Sequence, residues 1–215
     1  MAYYYNPQSA SVDGAMQIPL EIGQYPCKGY HKDLSITAKV STLTPGQPYT
    51  VILRGDNHHQ GGSCQFGLSY DGGANFGVVY SIIGGCPTDV TASYTFIVPP
   101  DLPSGKNVIF AWSWWAKVGA FKSEIYQNCA HVEVAGNNTQ SITVPRMFEA
   151  NKDGCAAYYG KCCTEISEEV VMPNPGRYFT YGGQYRGTPN SRLLPPSRYL
   201  KGCRTLEDVV FYPSV

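Results

Sequence analysis

DNHHQGGSCQFGLSYDGG, residues 56–73, sets the extended run QFGLSY between a Gly-Gly pair and the turn sequence Asp-Gly-Gly. An aromatic, non-helical run bounded by such residues reads as a β-strand. Two adjacent histidines, His58 and His59, stand just before it. Neighbouring side chains on extended backbone point apart, so this pair offers one imidazole to any single site, not two. Imidazole is a good ligand for copper or zinc, and the ordinary alternative for such a pair is a solvated loop tip.

The same texture continues on both sides. LSITAKV, YTVILR, FGVVYSII, SYTFIV, NVIFAWSW and CAHVEV are rich in β-branched and aromatic residues, and TPGQP, DGGAN, CPTD and PPDLPSG divide them. About seven short strands with recurrent turn chemistry predict an all-β antiparallel sandwich. No segment carries a sustained helical period; a short helix is expected only around CCTEISEEV, residues 162–170.

Composition narrows the function classes. The 215 residues carry 16 basic and 16 acidic side chains, a formal net charge of zero, which removes the electrostatic footprint expected of a nucleic-acid or anionic-membrane binder. Tyrosine outnumbers leucine, 17 to 10, a bias that suits pleated, half-buried surfaces. No apolar run approaches the ~20 residues of a membrane helix. The eight cysteines, an even number in a Gly- and Pro-rich chain, predict disulfides and an oxidising, extracellular location. The rival reading, zinc, lacks a C-x-x-C pair, and no histidine lies beyond His131. Asn137 opens the glycosylation sequon Asn137-Asn138-Thr139, which fits secretion. The opening MAYYYNPQSA has neither the basic nor the long apolar region of a signal peptide.

The chain divides at about residue 145. Residues 1–145 are expected to form the sandwich. Residues 146–215 have few alternating runs and many Pro, Gly, Tyr and Arg, and read as a mostly irregular extension pinned by Cys155, Cys162, Cys163 and Cys203. Three pairings of these four are formally open; a bond between the adjacent Cys162 and Cys163 would be strained. On NVIFAWSWW, Phe110, Trp112 and Trp114 share one face and are expected in the core, which leaves Trp115 on the other as a sugar-stacking ring. His131 alternates with Cys129 and Glu133 and is expected at the surface. GGSCQ is not a nucleophile elbow, because Gln65 stands where glycine is needed.

Four pieces occur in order: YPCKGYHKDL, HQGGSCQFGLSYDGGANF, FIVPPDLPSGKNVIFAWSWWAKVG and EIYQNCAHVEV. Together, over roughly residues 5–135, they resemble secreted fungal and oomycete proteins related to lytic polysaccharide monooxygenases. The resemblance implies an immunoglobulin/fibronectin-like sandwich, a polysaccharide-facing surface, and one copper ion in a brace of an N-terminal histidine and a second histidine. His59 matches the second histidine, since it precedes x-Gly-Gly-Ser-Cys, and Tyr126 or Gln127 matches the axial neighbour. The disulfides implied are Cys64–Cys86 and Cys27–Cys129. The chain as given starts at Met1, and its first histidine is His31, so copper is expected only if a histidine start lies upstream. The expected function is accordingly a secreted, non-catalytic, extracellular structural or polysaccharide-associated subunit that self-assembles into fibres, against the alternatives of a copper monooxygenase whose N-terminal histidine is missing from this chain and a monomeric carbohydrate-binding module. Self-association is expected through the terminal segments, by Tyr3, Tyr4, Tyr5, Phe211 and Tyr212, because chain ends of extended aromatic residues pair with exposed sheet edges.

Overall fold

The computed structural model describes residues 19–32, 41–119, 123–155, 162–197, 203 and 207–214; Tyr3, Tyr4 and Tyr5 lie outside them. Among the described residues ten strands run in chain order: β1 (Ser41–Leu43), β2 (Pro48–Arg54), β3 (Gly62–Ser69), β4 (Gly77–Ile83), β5 (Thr91–Ile97), β6 (Gly105–Ala116), β7 (Ile125–Val134), β8 (Ile142–Val144), β9 (Phe179–Tyr181) and β10 (Val209–Phe211). The main sheet has the order β1-β7-β6-β3-β4-β9, in which β1 joins β7 and β9 joins β4 in parallel and the inner pairs are antiparallel. β2 and β5 form a second antiparallel layer. Val51 and Leu53 of β2 and Phe96 of β5 close onto Phe66 of β3 and Phe110 of β6, with the Phe66 ring 5.5 Å from Phe96 and 6.0 Å from Phe110. Full burial of each such ring contributes about 1.5–3 kcal/mol. The result is an immunoglobulin-like antiparallel β-sandwich. Among the described residues no helix is long and apolar enough to cross a membrane.

The central strands are buried on both faces, not one. On β3 the apolar residues Cys64, Phe66 and Leu68 face the β2–β5 layer, while Ser63, Gln65 and Ser69 lie on the reverse side, equally buried. The cover on that side comes from the C-terminal third of the chain, which Ser63 and Gln65 bond directly. Gln65 accepts the Phe148 N–H at 2.8 Å and donates to the Asn174 carbonyl, Ser63 donates to the Val170 carbonyl at 2.6 Å, and Ser81 donates to the Pro175 carbonyl at 2.7 Å. This cover overturns the surface role expected of Trp115. The ring is 1% exposed, lies 5.2 Å from Phe148, and donates its Nε1–H to the Ala150 carbonyl at 3.2 Å.

Four disulfides join Cys27 to Cys129, Cys64 to Cys86, Cys155 to Cys163, and Cys162 to Cys203. The first fastens the 3-10 segment Cys27–Lys32 onto β7. Asn151, buried with φ of 68°, organises the start of the tail. Its side chain accepts from the Thr164 N–H, donates to the Glu124 carbonyl and the Thr164 hydroxyl, and its own N–H bonds the Cys162 carbonyl. The helix expected at 162–170 does not form: Cys162 and Cys163 are pulled to different partners, and Ser167 turns at φ of 72° to give its N–H to the Lys117 carbonyl at 2.7 Å.

The C-terminal segment is also used internally. β10 pairs antiparallel with β8, and Phe211 is fully buried with its ring 4.8 Å from Tyr70. Phe211 therefore fills its own core and is unavailable to a neighbouring copy. Tyr212, just beyond, is 63% exposed.

Candidate functional site

His59 sits on a loop with four successive left-handed residues: φ is 45° at His59, 57° at Gln60, 91° at Gly61 and 133° at Gly62. The glycine pair is what makes this turn accessible, since a side chain at Gly62 would run into the Trp115 backbone and the Trp114 indole. The loop is held at each peptide. Asn57 Oδ1 accepts the His59 N–H at 2.8 Å, the His58 carbonyl accepts the Gly61 N–H at 2.7 Å, the His59 carbonyl accepts the Val118 N–H at 3.1 Å, and the Gly61 carbonyl accepts both the Lys117 N–H and the Trp114 Nε1–H.

This turn carries the His59 ring over the end of β6 and β7. The imidazole lies 5.5 Å from the Trp114 ring and 5.6 Å from the Tyr126 ring, and its Nε2 is 3.1 Å from Tyr126 Oη. Trp114 and Tyr126 are register partners across β6 and β7, stacked at 4.7 Å. Tyr126 Oη–H donates to Glu124 Oε2 at 3.0 Å. A phenol has one hydrogen, so with that hydrogen on Glu124 the network assigns the His59 proton to Nε2, donating to Tyr126 Oη. Burial pushes the Tyr126 phenol well above its usual range, and the adjacent Glu124 charge and hydrogen bond push it in the same direction. It stays a neutral phenol at any ordinary pH.

Gln127, the other expected axial neighbour, points away. Strand alternation puts it on the opposite face of β7, where its Oε1 accepts the Cys27 N–H at 2.8 Å and its Nε2 donates to Ser113 at 3.0 Å. Glu124 is the residue sequence reasoning missed. The signal was present in EIY, because i and i+2 on a strand share a face. Trp115 lies on the reverse side of the sheet from Trp114 and contributes to the core only. Asn137 is exposed in the loop after β7, while Asn138 is tied to the Asp101 and Leu102 carbonyls.

A loop histidine joined to a phenol and a carboxylate at the open end of a sandwich is found on a chain with close relatives. It is 36% identical over 166 residues, 73% of each chain, to AA11 family lytic polysaccharide monooxygenase A of Aspergillus fumigatus. The chain belongs to the AA11 family of lytic polysaccharide monooxygenases. It is also 29% identical over 188 residues to the AA11 enzyme of Aspergillus oryzae and 25% identical over 190 residues to AA11 monooxygenase B of Aspergillus fumigatus. These alignments cover 74% of this chain but only 42% and 43% of those two relatives. Among solved structures, a cellulose-active polysaccharide monooxygenase from M. thermophila is similar over 57% of this chain and 62% of its own, at a TM-score of 0.41 and 14% identity. No protein-family profile matches the chain.

The AA11 family implies copper, and the donor set decides how well this cluster suits it. His59 Nε2 is a nitrogen donor, and Tyr126 Oη stands beside it at a separation that suits two ligands of one ion. The fit covers one side of a copper site. Among the described residues no group of three or more His, Cys, Asp and Glu side chains is placed to hold a metal ion, and a tight copper(II) site needs a further nitrogen donor.

Proposed function

We propose that this AA11 chain works outside the cell on a polysaccharide surface, as a copper monooxygenase in which His59 supplies the ring nitrogen. The observation that carries this reading is the 3.1 Å approach of His59 Nε2 to Tyr126 Oη, with Tyr126 bonded in turn to the buried Glu124. Copper, when bound, supplies the one-electron and dioxygen chemistry that side chains lack. To ligate, His59 gives up its Nε2 proton. Tyr126, with its own hydrogen on Glu124, would then hold an oxygen lone pair free beside that nitrogen. Glu124 thus fixes the phenol's rotation. Trp114, stacked on Tyr126, gives the imidazole a second aromatic contact on the same side. Four disulfides suit the extracellular setting in which polysaccharide is met.

The second reading is a non-catalytic, polysaccharide-associated subunit. It is favoured by the single imidazole in the described cluster, which by itself gives weak and geometrically loose copper binding. Isothermal titration of the full chain with copper(II) separates the two. The first reading expects one site per chain, with affinity at least tenfold tighter than that of His59→Ala. Binding that is no tighter than a surface histidine and is unchanged by His59→Ala refutes the first reading and leaves the second.

A further inference from the structure

Three Gly-Gly pairs, widely separated in the chain, meet around one carboxylate. Gly61–Gly62 follows the histidine loop, Gly84–Gly85 ends β4, and Gly182–Gly183 follows β9. A side chain at Gly61 would come within 3.6 Å of Glu169 Oε1, and one at Gly84 within 2.9 Å of Oε2. At Gly183 it would collide with the carboxylate itself, and at Gly85 with the Gly183 backbone. Glu169 is 3% exposed. Its Oε1 accepts the Gly85 N–H at 2.9 Å and its Oε2 accepts the Gln184 N–H at 2.7 Å. Backbone amides and the peptide dipoles of glycine turns thus replace the water that a buried charge has lost.

The residues flanking Glu169 reach the histidine loop by two routes. On one side, the Val170 carbonyl accepts the Ser63 hydroxyl, which in turn accepts the Gly84 N–H at 3.0 Å. On the other, the Ser167 N–H bonds the Lys117 carbonyl, the Lys117 N–H bonds the Gly61 carbonyl at 3.0 Å, and the neighbouring Val118 N–H bonds the His59 carbonyl. Both ends of the left-handed run at 59–62 are therefore gripped by one turn of the tail. The Cys64–Cys86 disulfide lies beside the same loop, where the Cys86 N–H bonds the Gly62 carbonyl at 3.0 Å.

We infer that Glu169 is a positioning residue: the tail turn Ser167–Val170, anchored through its carboxylate, sets the place of the His59 ring against Tyr126. The significance for copper rests on the function proposed above, whereas the positioning itself does not. Glu169→Gln keeps the size but presents an amide NH2 to one of the two backbone N–H donors, so one of the two bonds is lost. The test uses the metal-free chain with 15N-labelled histidine and glycine. Glu169→Gln is expected to shift the His59 Nε2 resonance away from its hydrogen-bonded position and to speed amide exchange at Gly61 and Gly85 at least tenfold. Glu168→Gln, one residue back, is expected to change neither. A folded Glu169→Gln protein with lower thermal stability but the wild-type His59 signal refutes the inference, because a merely structural carboxylate behaves that way. If Glu169→Gln does not fold, Ser63→Ala removes the link from Val170 to Gly84 and is judged by the same two signals. Neither readout involves metal, so a failed copper titration of the wild type would sink the copper reading and leave this test intact.

Discussion

Replacing Trp115 by alanine separates packing from sugar binding. The indole is 1% exposed, stands 5.2 Å from Phe148, and donates to the Ala150 carbonyl. Truncating a buried Trp to Ala costs about 3–5 kcal/mol in lost transfer energy and cavity. Loss of the indole N–H also leaves a buried carbonyl without its donor, about 1–3 kcal/mol more. These terms overlap, so a total near 5 kcal/mol is expected, a third or more of a typical stability of about 5–15 kcal/mol. At roughly 2–4 °C per kcal/mol for a chain of this length, the melting temperature falls by about 10–20 °C. Trp115→Phe keeps a ring against Phe148 and loses mainly the hydrogen bond, so a fall of roughly 3–10 °C is expected. Calorimetry on the purified chain measures both. Pull-down on a panel of insoluble polysaccharides, at a temperature where each variant is folded, should show binding unchanged. A Trp115→Ala protein that melts within about 3 °C of wild type yet loses polysaccharide binding would mean that the ring faces solvent, and the burial argument would fail.

Tyr126→Phe removes the hydroxyl between His59 and Glu124 and should lower stability by about 1.5–3 kcal/mol, the range for a charge-assisted bond, read from a urea unfolding curve. His31 is held below the ordinary histidine range, first by burial and then by the nearby Lys32 and His131 charges. The unfolded chain therefore binds this proton more readily, so the associated stability is complete above about pH 6.5 and declines as pH falls toward the folded value; urea midpoints at pH 7 and pH 5 should differ more in wild type than in His31→Gln. Tyr25, Tyr70 and Tyr126 are pushed up chiefly by burial, so their stabilisation is lost as pH rises past about 10, and their phenolate absorbance should appear only together with unfolding. Replacing both Cys162 and Cys203 by serine opens a closure of 41 residues and should cost about 4 kcal/mol, measured as a shift of the denaturation midpoint.

The strands were legible because their signals are local. QFGLSY and NVIFAWSW are short runs rich in β-branched and aromatic residues, and Gly-Gly, Asp-Gly and Pro-Ser-Gly stop them. The position of His59 was likewise carried by a contiguous motif. What alternation cannot say is what lies on the second face of a strand. The Ser63, Gln65 and Ser69 side of β3 has the polarity of a solvent face, but the Ser63 hydroxyl and the Gln65 amide bond the backbone of residues 148–174 instead of water. That is why Trp115 was expected outside and is inside. Gln127 and Tyr126 are adjacent in sequence and divided by the same pleat, so only the Cys27 amide on one side and the His59 ring on the other tell them apart. Glu169 gave no local sign at all, since its partners come from three distant glycine pairs.

The neighbouring Cys162 and Cys163 pose a problem of isomer choice. The native bonds close 41 and 8 residues. Exchanging their partners would change each closure by a single residue, a difference of only about 0.1 kcal/mol in chain entropy. Oxidation alone would therefore scramble the two isomers almost evenly. Asn151 distinguishes them: it bonds the Cys162 carbonyl and the N–H and hydroxyl of Thr164. A one-residue slip would misalign all of these at once. One buried amide side chain thus proofreads which sulfur goes where, and the covalent pattern of the tail is selected by non-covalent contacts formed around it.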